Sequence, residues 1–96
     1  MKEFAKNVTS AGTAEKLIGT SLLVKSAVIQ AKTTNTGNVF VGASGVDNSG
    51  DKGTALSAGQ GYNLSKAGID GQYELKDVYV DVATSGEGVT VTYFTD

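Results

Sequence analysis

The sequence predicts an all-β domain, an antiparallel β-sandwich or jelly roll of about seven to eight short strands. Short apolar, β-branched runs recur at spacings of about 8 to 12 residues, with turn-forming residues between them. No segment keeps an apolar period of 3.6 residues long enough for a helix. The chain has 13 glycines and no proline, so glycine is expected to form the turns.

The 96 residues are enough for one hydrophobic core and too few for two. We expect one sandwich domain over residues 13–96. Residues 1–12 precede it as either an arm that docks on a neighbouring subunit or an ordinary first strand. Their large apolar side chains after Met1 are Phe4 and Val8, which makes these two candidates for a capsid or subunit interface.

Residues 25–42 are predicted to be a hairpin at the centre of the domain. Two β-branched runs, residues 27–29 and 39–41, flank a polar cluster with Gly37 at residues 33–38, and such a cluster favours chain reversal. Period-two alternation directs one set of side chains to the core. That set is Ala27, Ile29 and Ala31.

Residues 46–53 are polar and glycine-bearing, which is typical of an exposed loop tip. Asp47, Ser49 and Asp51 alternate there as calcium ligands would, but Ala58 occupies the position where a calcium loop needs a bidentate glutamate. We therefore expect solvated charge and no metal, and assign Asp47 and Asp51 to a candidate interface. Short strands are expected at residues 54–56 and 61–64, followed by a connection at residues 65–75.

A second hairpin is predicted at the end of the chain. In residues 76–83 three valines alternate with Asp77, Tyr79 and Asp81, so one face is expected in the core and the other in water. Glycines at 86 and 88 form the reversal into residues 89–95. Tyr79 is a candidate interface residue because tyrosine is favoured in interface cores.

Composition excludes several classes of function. Without histidine or cysteine the chain has no Ser-His or Cys-His nucleophile and no ordinary zinc site. A net charge of -2 and a pI near 4.9 argue against nucleic acid as a partner. The apolar runs are far shorter than the roughly 18 residues of a membrane span, and no signal-type core follows Met1. We expect a protein that is not an enzyme, has no cofactor and is used without secretion.

The order of three segments resembles small virion proteins of tailed bacteriophages. The segments are KSAVIQAKTTNTGNVFVGASGV at 25–46, ALSAGQGYNLS at 55–65 and KDVYVDVATSGEGVTVTYF at 76–94. Together they span about the last three quarters of the chain. The sequence departs from the family pattern at Ala58, where those proteins usually have proline.

The resemblance implies a structural protein on the outside of a capsid, of the decoration, cement or head-fibre type. It would be made in the host cytoplasm, bind the major capsid protein and form a homo-oligomer such as a trimer. Contacts repeated by symmetry would reinforce the shell without chemistry. The alternative is a tail or fibre module that contacts a host-surface glycan or receptor.

Overall fold

The chain folds as short antiparallel strands. The computed structural model describes residues 1–50, 52–64 and 71–95. Within these ranges the strands are β1 Lys2–Asn7, β2 Glu15–Lys16, β3 Leu23–Val24, β4 Ser26–Ala31, β5 Val39–Gly42, β6 Thr54–Leu56, β7 Gly61–Leu64, β8 Tyr73–Glu74, β9 Tyr79–Val82 and β10 Gly88–Phe94. A single 3-10 turn, Leu75–Asp77, precedes β9.

Eight of the described strands form two four-stranded antiparallel sheets. Sheet A has the order β1-β10-β4-β7, and sheet B has the order β2-β9-β5-β6. The remaining two strands, β3 and β8, pair with each other. The sheets are not closed into a barrel, since β1 and β7 lie at the edges of sheet A and β2 and β6 at those of sheet B. The all-β, sandwich-like fold predicted from the sequence is confirmed.

The pairing of the strands is nested. β5 pairs with β6, β4 with β7, β3 with β8, β2 with β9 and β1 with β10. The chain is thus one long antiparallel ribbon whose tip is the β5–β6 hairpin. Pairing of β10 with β4, and of β9 with β5, closes the wound ribbon into two sheets. This winding of a folded ribbon is the jelly-roll topology.

The core lies between the two sheets. Ala27, Ile29 and Ala31 are buried in it, as their alternation on β4 predicts. Most of the other core residues are valine and leucine, whose branched side chains suit facing pleated surfaces. They are Val8, Leu17, Val24, Val39, Val41, Leu56, Leu75, Val80, Val82, Val89 and Val91.

The predicted central hairpin over residues 25–42 is wrong. Both of its strands exist, but β4 pairs with β10 and β7 in sheet A, while β5 pairs with β9 and β6 in sheet B. Residues 32–38 therefore cross from one sheet to the other. They contain a turn in which the Asn35 N–H donates to the Lys32 carbonyl at 3.0 Å, and the polar groups of residues 35–37 hydrogen-bond Glu87 and Gly88 of a neighbouring loop.

The predicted second hairpin is wrong for the same reason, because β9 lies in sheet B and β10 in sheet A. The face of β9 that is expected to be exposed to solvent is also largely covered. Tyr79 is half-buried, and Asp81 is completely buried even though it points away from Val80 and Val82. Loops folded over the outer face of sheet B cover Asp81 and its register partner Phe40.

Residues 1–12 supply a strand of sheet A. All six residues of β1 pair with β10, from Lys2 opposite Tyr93 to Asn7 opposite Gly88. Val8, the next residue, is fully buried. Residues 2–7 therefore form an ordinary first strand of the sheet, which is one of the two alternatives for residues 1–12.

Candidate functional site: an uncharged loop end

Four connections leave the sandwich at the same end. The strand register places Asn7 beside Gly88, Gln30 beside Gly61, and Val39 beside Val82. Residues 8–14, 32–38, 57–60 and 83–87 follow or precede these positions, so they cluster at one end of the two sheets. We call these four segments the loop end.

Every exposed residue of the loop end is uncharged. Its two charged residues, Lys32 and Glu87, are half-buried, and the Lys32 ammonium donates to the Asn7 amide oxygen over 2.7 Å. Nine of the exposed residues carry hydroxyl groups. They are Thr9, Ser10, Thr13, Thr33, Thr34, Thr36, Ser57, Thr84 and Ser85.

The Glu87 carboxylate fixes residues 32–38 to the neighbouring loop. It accepts from the Thr36 N–H at 2.7 Å, the Thr36 hydroxyl at 3.0 Å and the Gly37 N–H at 3.0 Å. These donors favour the charged carboxylate, so hydrogen bonds from Gly37 first and then Thr36 lower the pKa of Glu87 below its ordinary value of 4.5. The Asn35 amide adds a bond to the Gly88 carbonyl at 2.9 Å.

Residues 8–14 are held equally firmly. The Val8 N–H donates to the Glu87 carbonyl at 2.9 Å, and the Gly86 N–H donates back to Val8 at 2.8 Å. The Ala11 N–H donates to the Ser85 hydroxyl at 2.8 Å. Three of the four segments are thereby joined into one hydrogen-bonded unit.

Residues 57–60 are anchored to sheet A and to themselves. The Gly59 N–H donates to the Ala31 carbonyl at 3.0 Å, and the Gln30 side chain donates to the Gly59 carbonyl at 2.9 Å. The Gln60 side chain accepts from the Ser57 N–H at 2.8 Å. The loop end therefore presents hydroxyl and amide groups from a framework that is already ordered.

Two further carboxylates bind backbone N–H groups close to the loop end. Glu15 accepts from the Thr9 N–H at 2.8 Å and pairs with the Lys6 ammonium at 2.7 Å. The bond from Lys6 and then that from Thr9 lower the pKa of Glu15. Asp81 accepts from Gly12 and Val82 through Oδ1, whereas its buried Oδ2 has no partner in the described part of the chain.

The structure does not bring the predicted interface residues together. Phe4 packs edge-on against Tyr93, with ring centroids 5.9 Å apart, and Val8 is in the core. Asp47 accepts from Ser49 in the 43–53 loop, whose Asn48 side chain donates to the Val82 carbonyl at 3.3 Å, and Asp51 lies outside the described residues. Tyr79 is half-buried on β9 beside Gly42.

Sequence reasoning missed Glu87 as a site residue. Its position between two glycines indicates only a tight reversal, since its partners Thr36 and Gly37 are about fifty residues away along the chain. No local sequence pattern predicts a contact between residues so far apart. The available signal was the absence of proline, which leaves loops to be fixed by side chains.

The described residues contain no group of three or more acidic, histidine or cysteine side chains that could hold a metal ion. No helix in the same part of the chain is long and apolar enough to cross a membrane.

Comparison of the chain with protein-family models, with curated proteins and with solved structures gave no match.

Proposed function

We propose that the chain is a non-catalytic structural protein of a tailed-bacteriophage virion, bound to the outside of the capsid through its loop end. The resemblance of residues 25–46, 55–65 and 76–94 to small phage virion proteins supports the class. The loop end is chosen as the docking surface because its exposed residues are uncharged and its loops are joined by hydrogen bonds to Glu87 and Ser85.

A rigid loop end suits permanent attachment. Loops that are ordered before binding lose little conformational entropy when they dock, so more of the contact energy appears as affinity. Interface cores are depleted of charged residues, and charges at the opposite end of the sandwich include the exposed Lys16, Lys52 and Asp77. The loop end is thus the end that a protein surface covers at lower desolvation cost.

The partner in this proposal is the major capsid protein, and the site is the capsid exterior after synthesis in the host cytoplasm. Each copy, or each homo-oligomer such as a trimer, contacts neighbouring capsid subunits. Binding to the assembled shell but not to its separated subunits stabilises the shell by mass action. Repetition of a modest contact by capsid symmetry gives avidity.

The experiment adds charge to the loop end and measures binding to capsids of the encoding phage that lack this protein. Thr34→Lys and Ser10→Lys alter exposed side chains and should weaken binding about tenfold or more, because a buried lysine loses its hydration. Ser44→Lys is the matched control, because it adds the same charge to an exposed residue two positions after Gly42, at the end of β5 opposite the loop end.

Binding that is unchanged in Thr34→Lys and Ser10→Lys, or weakened equally in Ser44→Lys, would contradict docking through the loop end. Failure of the wild-type protein to bind these capsids would contradict the function itself.

A further inference from the structure

The outer face of sheet A carries a small groove that the proposed function does not use. Strand register places Thr92, Val28 and Asn63 in one row across β10, β4 and β7. Phe94 and Ser26 face each other in the next row. These five residues line a groove of about 240 Å³.

The groove lies away from the loop end. Thr92 is four residues from Gly88, at which β10 leaves the loop end, a distance of about 13 Å along a strand. A ligand on this face and a protein on the loop end therefore do not compete for the same side chains.

Both apolar and polar side chains line the groove. Phe94 is 45% exposed and Val28 is 42% exposed, so an aromatic ring and a branched aliphatic group face solvent together. None of the described residues that line the groove is charged, although the register places the exposed Glu3 of β1 beside Thr92 at the edge of the same row. Ser26, Asn63 and Thr92 make no side-chain hydrogen bond within residues 1–50, 52–64 and 71–95, which leaves their donors and acceptors open to a ligand.

The outer face of sheet A is small for a stable dimer interface. Four strands spaced about 4.8 Å apart, with up to seven residues at about 3.4 Å each, cover roughly 450 Å². A stable protein interface buries about 800 Å² on each partner. The groove is also smaller than the roughly 300 to 1,000 Å³ of pockets for drug-sized molecules.

We infer that this groove binds one ring of a neutral saccharide. A sugar ring has an apolar C–H face and a rim of hydroxyl groups, so its face would cover the Phe94 ring while its hydroxyls bond Asn63, Ser26 and Thr92. A neutral sugar carries no charge, and neither do the described residues that line the groove. A volume of about 240 Å³ also suits a single sugar ring. Each element of the site is a side chain that the fold leaves unused.

This inference goes beyond capsid attachment and does not depend on it. Attachment through the loop end would leave the outer face of sheet A accessible on the particle, where a saccharide could be bound. Either proposal can fail while the other holds, because the variants at Ser10 and Thr34 change the loop end and those at Phe94 change the groove.

The test is an NMR titration of the ¹⁵N-labelled full chain with the methyl glycosides of glucose, galactose and N-acetylglucosamine. We expect at least one of them to shift the amide signals of residues 26–28, 63, 64 and 92–94 in a saturable manner. N-acetylneuraminic acid serves as the charged comparison and should bind more weakly, because the groove-lining residues that the structure describes include no cation and the acidic Glu3 lies beside Thr92.

Variants at Phe94 separate ring stacking from general apolar contact. Phe94→Ala and Phe94→Leu should both weaken binding about tenfold or more, and Phe94→Tyr should retain it. Thr90→Ala is the matched control, since Thr90 is exposed on the same strand but lies outside the groove. All four change an exposed side chain, and their amide spectra report whether the fold is kept.

Three results would overturn the inference. One is the absence of shifts with all three neutral glycosides, and another is equal binding by Phe94→Leu and the wild type. The third is a shift of the same amides with protein concentration alone, which would assign the face to a second copy of the chain.

Discussion

Side-chain carboxylates hold the connections of this proline-free chain. Glu87 binds residues 36 and 37, Glu15 binds Thr9, and Asp81 binds Gly12. At the other end of the sandwich Glu74 binds the N–H groups of Leu22 and Lys76. Each bond fixes a backbone N–H that a strand ladder does not use, which is a role that tertiary contacts must fill where proline is missing.

Gly88 is a position at which no larger residue fits. A Cβ at residue 88 would overlap the Lys6 carbonyl oxygen and lie 2.7 Å from the Asn7 Cα. Both neighbours are backbone atoms of β1 and cannot rotate away. We expect Gly88→Ala to lower the free energy of unfolding by about 3 kcal/mol, measured by urea denaturation.

Gly19→Ala is the control for that substitution. No atom lies within 4 Å of the Cβ position at residue 19. The control is expected to change stability by less than about 1 kcal/mol. A Gly88→Ala protein as stable as Gly19→Ala would contradict the close approach of β1 to β10.

Asp81 offers a second measurement at the scale of one residue. Asp81→Ala removes the acceptor for the Gly12 N–H and should cost about 2 kcal/mol. Asp81→Asn keeps one side-chain oxygen for Gly12 and changes only the oxygen that has no partner, so its loss should be smaller. Equal losses in urea denaturation would show that the bond to Gly12 contributes nothing.

The individual strands were more predictable than their partners. Alternation and β-branched residues identified β4, β5, β6, β7, β9 and β10, and the buried set on β4 was correct. Pairing was not predictable in this way, because the connections at residues 32–38 and 83–87 can either close a hairpin or cross between sheets. Long-range contacts decide between the two, as the bonds from residues 36 and 37 to Glu87 show.

The loops should weaken in acid. Hydrogen bonds lower the pKa of Glu15, Glu74 and Glu87 below 4.5; for Glu74 the largest contribution comes from the Ser21 hydroxyl, followed by the Leu22 and Lys76 N–H groups. The unfolded chain then binds more protons than the folded chain as pH falls. Stability contributed by these bonds is complete well above pH 4.5 and is lost progressively below it.

Glu87→Gln tests this at one loop. The variant should be less stable than the wild type at pH 7, because a glutamine amide accepts with one oxygen only. Between pH 5 and pH 3, about two units around the ordinary pKa of glutamate, it should lose less stability than the wild type, because it has no carboxylate to protonate. Glu3→Gln, at an exposed residue of β1 without a side-chain hydrogen bond in the described ranges, should follow the wild-type pH profile. Identical profiles of stability against pH for Glu87→Gln and Glu3→Gln would contradict the claim that the Glu87 carboxylate stabilises the loop through its bonds to residues 36 and 37.

The whole molecule is a ribbon wound around one core. Its pairs run from β5 with β6 at the tip to β1 with β10 at the open end, so most contacts join distant parts of the chain. Composition and alternation were sufficient to predict an all-β sandwich or jelly roll. They were insufficient to predict the winding, because a period of two shows which face of a strand is buried and does not show which strand lies beside it.

The surfaces were less predictable than the fold. The apolar side chains of Phe4 and Val8 predict an interface, but Val8 is buried in the core and Phe4 is partly buried against it. The loop end and the groove beside Phe94 arise only when segments far apart in sequence meet. Among the described residues that form these two surfaces no exposed side chain is charged, a property that the folded molecule shows and the linear sequence does not.

Electron cryomicroscopy of the particle encoded by the same genome is the most direct measurement of the proposed function. We expect density for a two-sheet domain on the outer surface of the capsid, with residues 8–14, 32–38, 57–60 and 83–87 against the shell and the groove beside Phe94 facing solvent. A particle that lacks this density, or one in which these four segments point away from the shell, would contradict attachment through the loop end.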